Sequence, residues 1–551
     1  MKRCLPALTG LLLFLAPLKF SAPVNVQSVS PPPASAAEWL VWSWPNQLGA
    51  MMGFGLLLLL VLERPTGGRC SVSVRHGNGD DGASPSGTGR FGLFGLLPVV
   101  FLATQVISVF RTICWQTSVD TVLHFGVCVA VFYAAARCAR EERGADRLLG
   151  AMTAATVIVC AVALQQRFGG LEETRRFAET QGVSGEVMRR LASLRVFGTL
   201  VYPNALGGYL ALVFVPVMAW LWSKKPVISA LVAGVIVVCL AFSGSRGGFV
   251  ALGAGVVAWL ICRKGGRWQW VLGIVAVLVV FASTAMWRGT SSWGARLDYW
   301  GGAVRIVRDY PWLGTGPGTF GSIYPKYKTA PTEEAQLVHN NFLQMWSDSG
   351  VAAFVVFAAM WAVGLWEAAR LARRRGDVLG AALVAGMAGW TVHGMMDFDL
   401  YLPGIALPAF AVAGMALGLR MKEEGPVCES CGVSRWGVRL ATVTGMVLAV
   451  WWFEGRMLRA AVAYGPGKLS GLAEACRLAP RNPHYWSALG DAAMGARDFE
   501  MATGCYRRAV ELDPMRGSRR KRLEQARLAE ESVRQGGAGL IESAPVPGEK
   551  N

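Results

Sequence analysis

Charge is what this sequence has least of. Asp, Glu, Lys and Arg together make up 16% of its 551 residues, while 53% are hydrophobic. With a mean hydropathy of +0.38, that balance excludes a soluble globule. Acids are scarcer than bases, 36 against 54, for a net charge of +18. Nucleic-acid binding is one reading of such a surplus, but the basic residues sit in short loops and form no single face. The chain has no G-x-x-x-x-G-K-[ST] loop and no Cys/His cluster at zinc spacing, and its longest polar segment has no D-x-D. The twelve cysteines mostly lie inside apolar runs, as at Cys114, Cys128, Cys160, Cys239 and Cys262, where Cys acts as a small hydrophobe. Cys428 and Cys431 form a lone C-x-x-C with no second pair and read as two free thiols.

What is present is a series of long apolar runs, several near the ~20 residues that cross a ~30 Å hydrocarbon layer. They fall at 5–22, 48–62, 91–110, 119–136, 148–164, 196–222, 227–242, 249–262, 270–286, 351–369, 378–393, 403–419 and 440–453. The first follows Met1-Lys2-Arg3 and reads as a signal peptide or a first span, and both put the next segment outside. The basic residues then alternate with the spans. Arg64 to Arg90, Arg137 to Arg147, Lys224-Lys225, Arg263 to Arg267, Arg370 to Arg375 and Arg420-Lys422 all fall on one side, the inner one. The expected fold is all-α: a polytopic membrane helical bundle of roughly 12–13 spans. Residues 1–454 form the membrane domain, with the large polar segment 287–349 outside.

Within that topology four residues distant in sequence fall at outer membrane ends: Arg195, Arg246, His339 and His393. His339 is one of only five histidines, is followed by Asn340 and Asn341, and stands at the lip of a span. An imidazole so placed is positioned to be a general base for a hydrophilic substrate, or simply to cap a helix. Arg195 stands where the outer segment 167–195 re-enters the bilayer, and Arg246 lies in the tight turn S-G-S-R-G-G. Arginines at one depth are costly, and their planar forks match phosphate oxygens. The competing reading for each is snorkelling to lipid headgroups. A transporter of anions would also use buried Arg and His, but it needs them at mid-bilayer depth.

Several ordered blocks resemble the O-antigen ligase and polymerase superfamily of bacterial membrane glycosyltransferases. His339-Asn340, nine residues and Gly350 follow the ligase pattern, with Ala353 where that pattern has Gly, Thr or Tyr. Arg195 with Gly198, Pro203 and Asn204 is similar to the first arginine block, with Thr199 at its Leu position, and Ser245-Arg246-Gly247 to the second. Arg296 to Trp300, and P-W-L-G-T-G-P-G-T-F at 311–320, resemble the run before the histidine. His393-x-x-x-Asp397 with Pro403 resembles the segment after it. The resemblance covers about residues 190–420 and implies a fold of the GT-C type. It implies transfer of a glycan from undecaprenyl diphosphate to an acceptor hydroxyl at the outer face of the bacterial inner membrane, without metal or cofactor. His339 would be catalytic, Arg195 and Arg246 would hold the donor diphosphate, and Asn340, Arg296, His393 and Asp397 would support them. His393 is expected to pair with Asp397 one turn on. The acceptor could be lipid A-core, a growing glycan (a polymerase) or a protein (an O-oligosaccharyltransferase).

The G-T-G-P-G run invites a phosphate-cradle reading, but with no strand before it and no helix after it a turn at the bilayer lip is expected. Glu333 and Glu334 read as a solvated face of the outer segment. After the last span L-A-P at 478–480 recurs as L-D-P at 512–514, and the residues between resemble a tetratricopeptide repeat. One such unit over 465–532 is fewer than stands alone, so it is expected to dock on the membrane domain or a protein partner, on the outer, periplasmic side. The composition of 533–551 is that of a disordered tail.

Overall fold

The structure, a computed structural model, describes residues 4–25, 33, 35–62, 92–180, 185, 188, 191–200, 202–263, 291–329, 335–423, 433–465 and 467–535. The expected span at 270–286, the whole inner loop from Arg64 to Arg90, the Cys428/Cys431 pair, Glu333, Glu334 and residues 536–551 lie outside them.

Every regular element among the described residues is a helix. In chain order these are α1 (Cys4–Lys19), α2 (Ala36–Val41), α3 (Asn46–Leu62), α4 (Gly92–Val109), α5 (Trp115–Ala139) and α6 (Gly144–Gln165). A π-turn at Gln166–Gly170 leads to α7 (Leu171–Thr180). Then come α8 (Pro203–Trp222), α9 (Pro226–Ser243), α10 (Arg246–Cys262), α11 (Ser291–Asp309), α12 (Phe320–Tyr327), α13 (Asn341–Arg375), α14 (Val378–His393), α15 (Pro403–Glu423) and α16 (Val433–Tyr464). Four shorter helices close the chain: α17 (Leu469–Leu478), α18 (Pro483–Gly495), α19 (Phe499–Leu512) and α20 (Gly517–Arg534).

Seven of the described helical segments are long and apolar enough to cross a membrane, and α1, α3, α10 and α14 are shorter apolar helices. That is fewer full-length spans than the roughly thirteen expected, although every expected span except 270–286 falls on a described helix. Two boundaries move. The helix of the sixth expected span, α8, starts at Pro203 rather than near residue 196, because the described residues before it form an irregular strap with Gly198 at φ 60°. That of the tenth, α13, starts at Asn341, ten residues before the expected span.

Small residues bring the helix backbones together, as they do where lipid and core are equally apolar. Gly414 and Gly418 of α15 lie so close to the carbonyls of Phe132 and Ala136 on α5 that a Cβ would come within 2.1 and 2.3 Å of them. Gly255 of α10 does the same against Ala385 of α14. The buried core runs through α5, α8, α14 and α15.

The last four helices pack in sequence, α17 on α16, α18 on α17, α19 on α18 and α20 on α19. They dock on the membrane domain. Ser322 of α12 donates to Asp513 at 3.2 Å, Arg516 donates to Gln336 at 3.1 Å, and the Arg481 guanidinium sits 4.7 Å from the Trp115 ring.

Candidate active site

The site is assembled around the start of α13. Asn340 is the N-cap, and its Oδ1 accepts from the N–H groups of Phe342 and Leu343 at 3.0 and 3.1 Å. The capping role that the sequence left open for His339 therefore belongs to its neighbour. His339 stands just before the cap with φ 57°, a left-handed backbone uncommon outside glycine. Two backbone contacts pin this corner: Asn341 N–H donates to Gly394 O at 2.7 Å, and Leu400 N–H to Asn341 Oδ1 at 3.4 Å. They draw the end of α14 and the strap after it against the start of α13.

Within that corner His339 Nδ1 lies 3.2 Å from Asp397 Oδ1. The carboxylate is 1% exposed and the imidazole 26%, so the histidine is the open member of the pair. Tyr299 stacks on the imidazole at 5.7 Å, and Phe398 meets it edge-on at 4.6 Å. Tyr202 Oη donates to Asp397 at 3.3 Å, the Phe398 N–H donates at 2.9 Å, and Arg296 stands 3.8 Å from the other carboxylate oxygen. Burial pushes the Asp397 carboxyl up, but the His339 hydrogen bond and the charges of His339, His393 and Arg296 outweigh it and hold the group well below the usual carboxylate range. Asp397 accepts from Nδ1 of His339, so Nε2 is the ring nitrogen left to face a substrate.

His393 does not pair with Asp397 as expected. Helix α14 ends at His393, so the next four residues form a turn rather than one more helical turn. His393 Nδ1 instead meets Asp399 Oδ2 at 2.6 Å, and both groups are buried. The space for this second pair is made by Gly208 of α8, where a Cβ would come 2.6 Å from His393 Nδ1 and 2.9 Å from Asp399 Oδ1. Burial pushes the Asp399 carboxyl up, against the pull of His393 and with a push from Asp397.

The arginines converge on the same place. Arg195 Nε donates to Ser243 O at 2.7 Å, and its Nη2 donates to Asn204 Oδ1 at 2.9 Å and to Gly244 O at 3.3 Å. It thus ties the strap before α8 to the turn that starts α10. Arg246 is the first residue of α10, behind the N-cap Ser245, and is half-buried. Its side chain makes no hydrogen bond or ion pair with the described residues. Burial lowers the Arg195 pKa, as do the like charges of Arg296 and Arg246, while Asp397 opposes them. Arg296 and Arg246 are therefore both close enough to repel Arg195, and an anion bound there would relieve that repulsion.

The G-T-G-P-G run is a turn, although, against expectation, helix α12 follows it at Phe320. Its Thr315 and Gly316 N–H groups donate to Ser347 O and Asp348 O, and the Gly318 N–H donates to Asp348 Oδ2 at 3.0 Å. With these donors already used, no phosphate cradle is left. The turn fits into a kink in α13 at Gly350, where φ is 84° and ψ 178°.

The seven candidate site residues, Arg195, Arg246, Arg296, His339, Asn340, His393 and Asp397, lie in or against this one corner. Asp399, Tyr202, Tyr299 and Phe398 were not singled out. A D-F-D triplet, each of whose acids holds a different histidine, was the available signal for Asp399. Nothing in the sequence marks the aromatic residues around His339.

A family model described as O-antigen ligase matches residues 231–358. The matched segment includes Arg246, Arg296, His339 and Asn340, and excludes Arg195, His393, Asp397 and the C-terminal helices. It is narrower than the resemblance read from the sequence. A search of the curated proteins returns no match. Over the matched segment the chain is similar to a family of membrane glycan-transferring ligases, and its apolar helices are those of a multi-pass membrane protein.

Proposed function

We propose that this protein transfers a glycan from a polyprenyl diphosphate of the undecaprenyl type to an acceptor hydroxyl at the outer face of the inner membrane. The observation that carries this reading is the half-open His339 held by the buried, ionised Asp397 beside three arginines. His339 Nε2 takes the acceptor proton as the oxygen attacks the anomeric carbon. The bond from that carbon to the diphosphate breaks, and the leaving diphosphate keeps the electron pair. Arg246 and Arg296 stabilise the charge that develops there, and Arg195 holds the turn that presents Arg246. The charge falls to guanidinium groups, so transfer needs no divalent metal. Activity in purified membranes is expected to persist in excess chelator, and loss that magnesium restores would overturn that assignment.

The acceptor is a lipid A-core, a glycan or a protein. Deleting the gene and resolving surface glycans on a gel separates these outcomes. Unligated chains on the carrier mark a ligase, single-unit glycans a polymerase, and unmodified protein an oligosaccharyltransferase. Unchanged surface glycans of all three kinds would overturn the proposed activity.

A further inference from the structure

A second polar site lies away from His339. A cavity of about 140 Å³ opens where the segment after α1 and helices α3, α5, α15 and α16 meet the C-terminal helix α18. Its polar lining includes Asp120, Glu454, Asn46, Gln116 and Tyr485, and no Lys or Arg lines it. His124 also lines it and bonds Leu400 O at 2.8 Å, on the strap that carries Asp397.

Several hydrogen-bond acceptors here have no donor, or only one. Glu454 is 5% exposed and makes no hydrogen bond or ion pair with the described residues. Asn46 Oδ1 is buried with no donor, while its Nδ2 is used on Ala22 O at 3.3 Å. Asp120 Oδ1 accepts only from Gln116 Nε2, at 2.8 Å. Buried acceptors without donors are costly, and two carboxyl groups at one cavity reject a further negative charge. What satisfies them is a group rich in O–H or N–H donors and free of negative charge. The aromatic walls Phe20, Trp44 and Tyr485 add flat apolar faces. A cavity of about 150 Å³ holds benzene, so a ring enters this one with its substituents reaching the open side.

We propose that this cavity is a glycan subsite that takes one neutral or amino sugar ring through its hydroxyls. It would hold part of the glycan at the seam between the membrane helices and the C-terminal helices, while the diphosphate stays with the arginines. The choice of a sugar rests on the proposed glycan transfer; the donor-rich, non-anionic character rests on the cavity alone.

The test is direct binding to the full-length protein in detergent, read by saturation-transfer NMR with three probes: a methyl hexoside, a methyl aminohexoside and a methyl uronoside. The first two are expected to show saturable transfer and the uronoside none. His339→Ala should bind like wild type, so a failed transfer mechanism leaves this result standing. Asp120→Asn/Glu454→Gln should weaken binding at least tenfold. Filling the cavity by Ala461→Phe, or independently from another helix by Ala50→Phe, should abolish it in protein that still elutes as a single folded species. No saturable signal from either uncharged or amino sugar, or equal binding of the uronoside, overturns the proposal. So does a Glu454-dependent titration heat with calcium chloride and none with sugars, which would make the cavity a cation site.

Discussion

His339 and His393 carry different burdens although both sit at helix ends beside an aspartate. His339 is partly open, whereas His393 is buried with Asp399 behind Gly208. His339→Ala is therefore expected to lower transfer on the order of 10²–10⁴-fold, with the protein still folded in the membrane and donor still bound. Asp397→Asn should approach that loss, because a neutral amide no longer selects the Nδ1–H tautomer. His393→Ala should cost less transfer and more thermal stability. Membrane assays with labelled lipid-linked donor, paired with melting curves, separate these outcomes. A dead His393→Ala beside an active His339→Ala would show the roles to be reversed. Arg246→Lys should also fail, since an ammonium keeps the charge but loses the planar fork. The depressed Asp397 carboxyl fixes a pH dependence. Its stabilising contribution is fully present above the unfolded value of about 4 and is lost as pH falls through the lower folded value. Acid melts of Asp397→Asn should lack that component.

At the scale of elements, the kink in α13 sets where His339 lies. At Gly350 a Cβ would come 2.0 Å from Trp312 O, in a backbone region that only glycine tolerates. Gly350→Ala should cost more than about 3 kcal/mol and show as loss of the monodisperse peak in fluorescence-detected size exclusion. The corner between α19 and α20 is a second control point. Met515 packs on the cluster that includes Val338 and Tyr299, the chain neighbour and ring neighbour of His339. Asp513 and Arg519 are buried there as an ion pair. Met515→Asp should lower kcat several-fold with KM for donor little changed, and Met515→Leu should restore it. A fall in protein yield alone, without the kcat change, would reduce this corner to a structural contact.

At the scale of the molecule, the docked C-terminal helices and His339 share one side, because Ser322, Gln336 and Trp115 all meet them. A reporter after residue 535 should therefore read the same compartment as one in the 287–349 segment, the exported side, and a reporter after Arg375 the cytoplasm. A cytoplasmic signal at residue 535 with an exported one in the 287–349 segment would break the contact described here.

The sequence by itself determined the class of fold. Apolar length and the sidedness of Arg and Lys depend on composition over windows of tens of residues, and those windows are local. It also singled out His339, Arg246, Arg195 and Arg296, since rare charged residues at span ends stand out against an apolar background. It could not decide which aspartate serves which histidine. His393 and Asp397 are four apart, the spacing of one helical turn, yet the helix stops at His393 and the pairing passes to Asp399. Nor could it show that Asn340 caps α13, that Arg195 is spent largely on backbone carbonyls, or that Glu454 and Asp120 line one cavity. Those facts depend on contacts between residues up to several hundred apart, and only the packing of kinked helices brings such residues together.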